Sequence, residues 1–213
     1  RTKKTFNRVA DSVTTQYYYS NGMLLGFYRS DGFDVKTLLD ISGSVYGITV
    51  SNGSANSMVY FAYNAQGDVI GLYGYNGTLY ATYDYDAWGN CTVTPLVADT
   101  AGHSITDANH IAHINPFRYR GYMYDSETGL YYLGSRYYDP ETGRFINADG
   151  MTDGGAGLLG FNLFIYGANN PVNNFDPTGQ WIISNFIKGL FERSDAMLAD
   201  PNLYTVSNWL TLG

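Results

Sequence analysis

The chain has 213 residues and a formal net charge of −7, with 12 Lys and Arg against 19 Asp and Glu. Apart from a basic start over Arg1–Arg8 the cations are scattered, which argues against nucleic acid or an anionic membrane surface as a partner. An aromatic content of 16%, with 21 Tyr and 25 Gly, favours β structure, and the length suffices for one large β unit or two small domains with a buried core.

A single cysteine, Cys91, excludes an intrachain disulfide framework and reads as a buried free thiol. No apolar run reaches the length of a membrane span. The chain opens at Arg1 with neither a methionine nor a signal peptide and stops at Leu212-Gly213, so it reads as a piece of a longer protein.

In chain order, residues 1–94 read as β-hairpins. Tyr17 to Gly32 gives an aromatic strand, an Asn21-Gly22 turn, an apolar strand and an Asp31-Gly32 turn. Lys36 to Ser57 is less regular, with strand patterning over Ser44 to Val50. From Tyr60 to Thr82, turn residues Asn64, Gly67, Asn76 and Gly77 separate short runs of Val69, Ile70, Leu72, Leu79 and Tyr80, and Asn76-Gly77 predicts a two-residue hairpin. Residues 95–116 break the pattern. They carry His103, His110 and His113 and predict a loop insertion with a short helix.

Strands resume at Phe117. Tyr124 to Gly129 reads Y-D-S-E-T-G and Tyr138 to Gly143 reads Y-D-P-E-T-G, a repeat of period fourteen. Each copy predicts a hairpin in which polar residues turn and Gly129 or Gly143 takes φ > 0, so two in tandem form a meander. Turn chemistry at Gly154-Gly155, Asn169-Asn170-Pro171 and Asp176-Pro177-Thr178-Gly179 follows. Beyond Gln180, Ile182, Ile183, Phe186, Ile187, Leu190 and Phe191 recur at helical spacing and predict an amphipathic helix over residues 181 to about 199.

Asn64 to Gly71, Tyr83 to Asn90 and Phe117 to Asp149 resemble the YD-repeat proteins, and Phe117 to Gly179 resembles the core-terminating segment of bacterial Rhs polymorphic toxins. The resemblance covers most of residues 16–180, and Arg118 to Phe145 fits its motif nearly throughout. It implies a mainly β shell fragment, a hairpin meander or spiral whose residues 117–180 curl inward as a plug with a short C-terminal helix. Tyrosines and apolar residues would face inward, enclosing a C-terminal toxin, while residues 181–213 would begin the variable pre-toxin region. The partners implied are the upstream repeats, the toxin and an immunity protein for it, at a secreted or cell-surface location in a bacterium.

The resemblance also implies aspartyl-type self-cleavage. Matching positions are Asp149 in F-I-N-A-D-G and Asp176 in N-N-F-D-P-T-G, with Gln180-Trp181 as the bond cut. Two neighbouring carboxylates divide the work, one as acid and one as base on water. Two positions depart from the family pattern: Gly150 stands where Pro is usual, and Gln180 where Leu is usual. A turn-capping role explains Asp176, and Asp139 as well, without any catalysis. Arg118, Arg120, Arg136 and Arg144 are expected to orient carboxylates or tie hairpins, with an exposed sheet face the competing reading for all four. Gly179 closes the turn before the cleavage bond.

Gly155 to Gly160 matches a dinucleotide fingerprint by letter but follows a turn, so a loop is the better reading. The histidines lack a zinc spacing, and Asp84-Tyr85-Asp86 lacks the closing acid of a calcium loop, so neither a metal nor a cofactor is called. Asn52, Asn76 and Asn90 open N-x-S/T triplets, coincidental in a bacterial chain. A non-cleaving surface module that binds glycan through its aromatic strands is the second reading, and a free-standing hydrolase the third.

Overall fold

The computed structural model describes residues 1–7, 12–53, 56–150, 162–180 and, in backbone only, 55, 183 and 184. Of the expected helix over 181–199 only 183 and 184 are described, and these pair as strand; the rest of it, Trp181 included, and the Gly155–Gly160 segment lie outside the described residues.

Nine strands run as one antiparallel meander in sequence order: β1 (Lys3–Asn7), β2 (Ser12–Ser20), β3 (Met23–Arg29), β4 (Phe33–Leu39), β5 (Val45–Asn52), β6 (Ala55–Tyr63), β7 (Val69–Tyr73), β8 (Leu79–Tyr85) and β9 (Cys91–Pro95). The stretch from Lys36 to Ser57, expected to be less regular, is paired throughout as β4, β5 and β6. Register places Tyr17, Phe27, Val35 and Val50 side by side on four successive strands, and all four are buried. Ile48, Val59, Leu72 and Ala81 extend that face. Successive side chains on a strand point to opposite faces, so the next residues in each strand lie on the other side.

One local device closes four of the turns. Asp40, Asn64, Asp86 and Asp99 each accept the backbone N–H groups of residues two and four ahead on one side-chain oxygen, and Gly43, Gly67, Gly89 and Gly102 follow three ahead at positive φ. The acid or amide satisfies the donors left free by the turn, and glycine takes the left-handed residue at no steric cost. The Asn76-Gly77 loop is built similarly from Gly74 to Thr78, with only Gly77 at positive φ and a register shift at Leu72/Tyr73. It is therefore a bulged five-residue loop rather than the two-residue hairpin expected, because a two-residue turn of that type needs both central residues left-handed.

Residues 96–117 cover the buried face of the sheet. Their helix α1 (Ile111–Ile114) buries Ile111, Ala112 and Ile114, and Phe117 joins the same core. Burying an aliphatic side chain of this size contributes about 1.5–3 kcal/mol, which accounts for a short helix that could not stand alone. Tyr83 donates to the Ala112 carbonyl at 2.7 Å, and the fully buried Asn115 bridges Tyr83 and Phe117. His110 caps α1 by accepting from Ala112 and hydrogen-bonds the Val97 carbonyl through Nε2, so the latter nitrogen carries the proton.

The period-fourteen repeat builds a second sheet, β10 (Met123–Asp125), β11 (Leu130–Tyr132), β12 (Tyr137–Asp139) and β13 (Arg144–Phe145). Gly129 and Gly143 both take positive φ, as expected. Tyr124, Tyr131, Tyr138 and Phe145 stand opposite one another across the four strands, with neighbouring ring centroids 5.0, 6.3 and 6.0 Å apart. The repeat thus sets an aromatic residue every seven positions on one face. Tyr166 packs on Tyr138 at 4.1 Å.

The two sheets meet at the β8–β9 turn. Tyr119, Tyr138 and Tyr131 donate to the successive carbonyls of Ala87, Trp88 and Gly89 at 2.9, 2.7 and 2.9 Å. At the other end Lys4 on β1 pairs with Asp125 and Glu127, each at 3.0 Å. The expectation that tyrosines turn to the covered side holds for Tyr17, Tyr80 and Tyr83, but Tyr18, Tyr28, Tyr60 and Tyr73 occupy the opposite face because they alternate with the buried residues.

Candidate functional site

Past the second sheet, the chain pairs β14 (Asn174–Phe175) with β15 (Ile183–Ser184), enclosing Asp176 to Gln180. Asp176 begins the same kind of turn as Asp40 and Asp86. Its Oδ1 accepts from Thr178, Gly179 and Gln180 at 3.2, 2.8 and 3.0 Å, and Gly179 holds φ +74°. The turn-capping reading of Asp176 is realised, and Asp139 does the same with Glu141.

Asp176 does more than cap. Its side chain is 1% exposed, and its Oδ2 lies 3.2 Å from Nη2 of Arg136. The same nitrogen lies 2.9 Å from Oδ2 of Asp149. With 2.9 and 3.2 Å to one atom, the two carboxylate oxygens are no more than about 6 Å apart. The sequence-predicted pair is therefore together, 27 residues apart in the chain, joined by a guanidinium.

Arg136 is held on every side. Nη1 donates to the Leu163 carbonyl at 3.1 Å, Nε donates to the Gly179 carbonyl, and the guanidinium lies 3.6 Å from the centroid of the Phe145 ring. Its planar fork reaches several acceptors at once, which an ammonium cannot do. Ser135 adds an Oγ 2.8 Å from both the Thr178 and Gly179 carbonyls. Behind the turn, Tyr122 donates to the Asp176 carbonyl at 3.0 Å and accepts from the Asp176 N–H at 3.3 Å. Burial holds the Tyr122 phenol above its ordinary range, so it stays a neutral donor. A Cβ on Gly179 would fall 2.7 Å from Ser135 Oγ, so the close approach and the positive φ both require glycine.

Sequence reading missed Ser135, Tyr122 and Phe145 as parts of this site. Ser135 and Phe145 adjoin named residues, and Tyr122 carried no signal of its own. Among the other predicted residues, Gln180 enters the site through its N–H, and Trp181 is outside the described residues.

The remaining arginines lie elsewhere. Neither Arg118 nor Arg120 sits on an exposed strand face. Arg120, in a left-handed turn at φ +52°, donates to the Gln66 and Pro171 carbonyls at 3.1 and 2.6 Å, and its N–H donates to Asp68 at 2.7 Å. It ties the β6–β7 hairpin tip to the loop before Asp176. Arg118 is buried, 4.2 Å from the Tyr124 ring centroid. Arg144 is exposed on β13 and makes no ion pair among the described residues. Cys91 is a half-buried free thiol, pushed up from its ordinary pKa by burial. Among the described residues no group of three or more His, Cys, Asp or Glu could hold a metal ion, and the Asp86 oxygens are spent on Trp88 and Asn90.

No protein-family model matches the chain. It is 37% identical over 179 residues to the tRNA nuclease WapA of Bacillus subtilis, a match covering 83% of this chain and 7% of WapA. Over 64 residues it is 44% identical to the toxin protein Tse5 of Pseudomonas aeruginosa, covering 30% of this chain and 5% of Tse5. The solved structure of TcdB2-TccC3 without its hypervariable C-terminal region shares the fold, with a TM-score of 0.60 and 23% identity over 84% of this chain and 8% of that one. The chain spans less than a tenth of each of these relatives.

Proposed function

We propose that this segment of the Rhs/YD-repeat, polymorphic-toxin class forms the closing end of a toxin-associated shell, and that the Arg136 cluster serves hydrolysis of the Gln180–Trp181 bond. One observation carries the reading: Asp149, Asp176 and the Gly179 carbonyl converge on a single buried guanidinium. They do so one residue before the bond in question. Kinship with WapA and Tse5 supports the association with a toxin, carried by the part of the protein beyond this core.

The two carboxylates have different work. Asp176 holds residues 178–180 in one conformation through three N–H groups and anchors Arg136. Asp149 is the more exposed of the two and within reach of water. In the step proposed, Asp149 takes a proton from a water whose oxygen bonds to the Gln180 carbonyl carbon. The resulting intermediate collapses with the C–N bond broken, and the proton passes from Asp149 to the Trp181 nitrogen. No cofactor is consumed. Holding the Gln180 side of the bond in one conformation is a positional contribution, lost when the turn loosens.

Intact-mass spectrometry of the 213-residue chain tests this. The wild type should yield a 33-residue fragment beginning at Trp181, while Asp149→Asn and Asp176→Asn stay whole. If all three remain whole, the cluster is a structural clamp that closes the shell end and the cleavage reading is wrong.

A further inference from the structure

Strand residues alternate between faces, so the second sheet has a reverse side to its aromatic ladder. That side carries Tyr132, which stands opposite Tyr137, and Asp125, two residues on from Met123, the other partner of Tyr132. The start of the chain reaches this side, where Lys4 meets Asp125 and Glu127. Tyr17 on β2 donates its N–H to the Thr2 carbonyl at 2.9 Å, which sets Arg1 beside the Tyr17 ring.

Tyr17, Tyr132, Tyr137 and Asp125 form a box around the Arg1 guanidinium. Nη1 lies 2.5 Å from Asp125 Oδ2 and Nη2 3.1 Å from Oδ1, a two-pronged fork, and Nη1 also donates to the Tyr137 hydroxyl at 2.8 Å. The central carbon, Cζ, lies 4.5 Å from the ring centroids of both Tyr17 and Tyr132 and 5.8 Å from that of Tyr137. The side chains of Arg1 and Asp125 are 8% and 4% exposed, so the rings act on a cation largely out of water, where such contacts reach about 2 kcal/mol. Charge in the box balances, because Asp125 and Glu127 face Arg1 and Lys4, with Lys4 3.0 Å from each acid. Take the guanidinium away and two acids face one ammonium, while the buried Asp125 Oδ2 loses its donor.

We infer that this side of the second sheet holds an arginine-binding site, selective for a guanidinium over an ammonium, with Arg1 as its resident ligand. A guanidinium is planar and carries donors along its edge, so it can lie against the Tyr17 and Tyr132 rings while its edge meets both Asp125 oxygens and the Tyr137 hydroxyl. A lysine ammonium is a point charge that cannot stack and fork at once. A quaternary ammonium would meet the rings but leave Asp125 Oδ2 without a donor. The site therefore selects by side chain what docks on this side of the second sheet, an extended segment that presents an arginine, here the start of β1. It shares no residue with the Arg136 cluster and does not depend on cleavage.

The test empties the box and refills it. The 213-residue chain carrying Arg1→Ala is titrated calorimetrically with N-acetyl-arginine-methylamide and with N-acetyl-lysine-methylamide, each at millimolar concentration. The arginine probe should bind, with the lysine probe weaker by about tenfold or more, a change of about 1.4 kcal/mol. Adding Asp125→Asn to Arg1→Ala should weaken the arginine probe by about the same factor, and the wild-type chain, whose own Arg1 fills the box, should not bind it. Where Arg1→Ala lowers the urea midpoint, the arginine probe should raise it again and the lysine probe should not, because a ligand held only by the folded chain stabilises it. A weakened fold is thus itself a readout. The inference fails if the arginine probe neither binds the Arg1→Ala chain nor raises its midpoint, if the lysine probe does as well, or if the wild type binds the arginine probe equally.

Discussion

Replacing Arg136 with Met keeps the length of the side chain and removes the cation between two carboxylates. Asp176 is 1% and Asp149 13% exposed at the side chain, so neither can turn fully to water. Breaking a buried pair by removing one partner costs about 3–5 kcal/mol, because the other charge is left uncompensated. The Leu163 and Gly179 carbonyls lose their donors as well, so the upper part of that range is expected. Asp176→Asn keeps an oxygen for the Thr178, Gly179 and Gln180 N–H groups and should cost less, about 1–3 kcal/mol. The decisive comparison is the double variant. Once Asp176 is neutral, Arg136→Met strands one fewer charge, so the double variant should be more stable than the sum of the singles by about 1–3 kcal/mol. Urea unfolding followed by far-ultraviolet circular dichroism gives all four stabilities. Additivity within about 0.5 kcal/mol would refute the reasoning and mean that the guanidinium and the Asp176 carboxylate do not act as a unit.

Two further outcomes follow from the same geometry. Gly129 and Gly143 occupy equivalent turns at φ +74° and +66°, but the nearest atom to a Cβ is 3.9 Å away at Gly129 and 2.8 Å, on the Trp88 ring, at Gly143. Gly129→Ala should therefore cost only the backbone strain, about 1–2 kcal/mol, whereas Gly143→Ala adds about 1–3 kcal/mol for the displaced ring, and equal midpoints in urea would contradict this. Burial, with Arg118 and His110 nearby, holds the His113 imidazole below its ordinary 6.5. The folded chain then binds that proton less readily than the unfolded one, so the stability is complete above about pH 6.5 and declines as pH falls below it. His113→Gln should flatten the fall of the urea midpoint between about pH 7 and pH 5, and an unchanged slope would remove His113 from the account.

The hairpin meander was legible in the residues because its turns are local. An acid or amide, then glycine three positions on, closes four of the loops within five residues, and such short closures cost little chain entropy. The fourteen-residue repeat likewise determined a four-stranded sheet, since its aromatic spacing of seven matches one strand plus one turn. Even the cap at Asp176 belongs to this local grammar. What the chain order could not express is where distant groups meet. Asp149 and Asp176 come together only because Arg136, on the loop between two hairpins, is buried against Phe145 and aimed at Gly179. Arg118 and Arg120 read as neighbours on one strand face, yet a left-handed residue at 120 sends them to different partners. The segment over 95–116 read as a loop insertion and became the cover of the sheet, which in turn decided which tyrosines are core and which remain on the open face. Backbone hydrogen bonds within a hairpin are fixed by neighbours in sequence, whereas burial of a charge or a ring depends on which surface arrives to cover it, and only the tertiary structure supplies that.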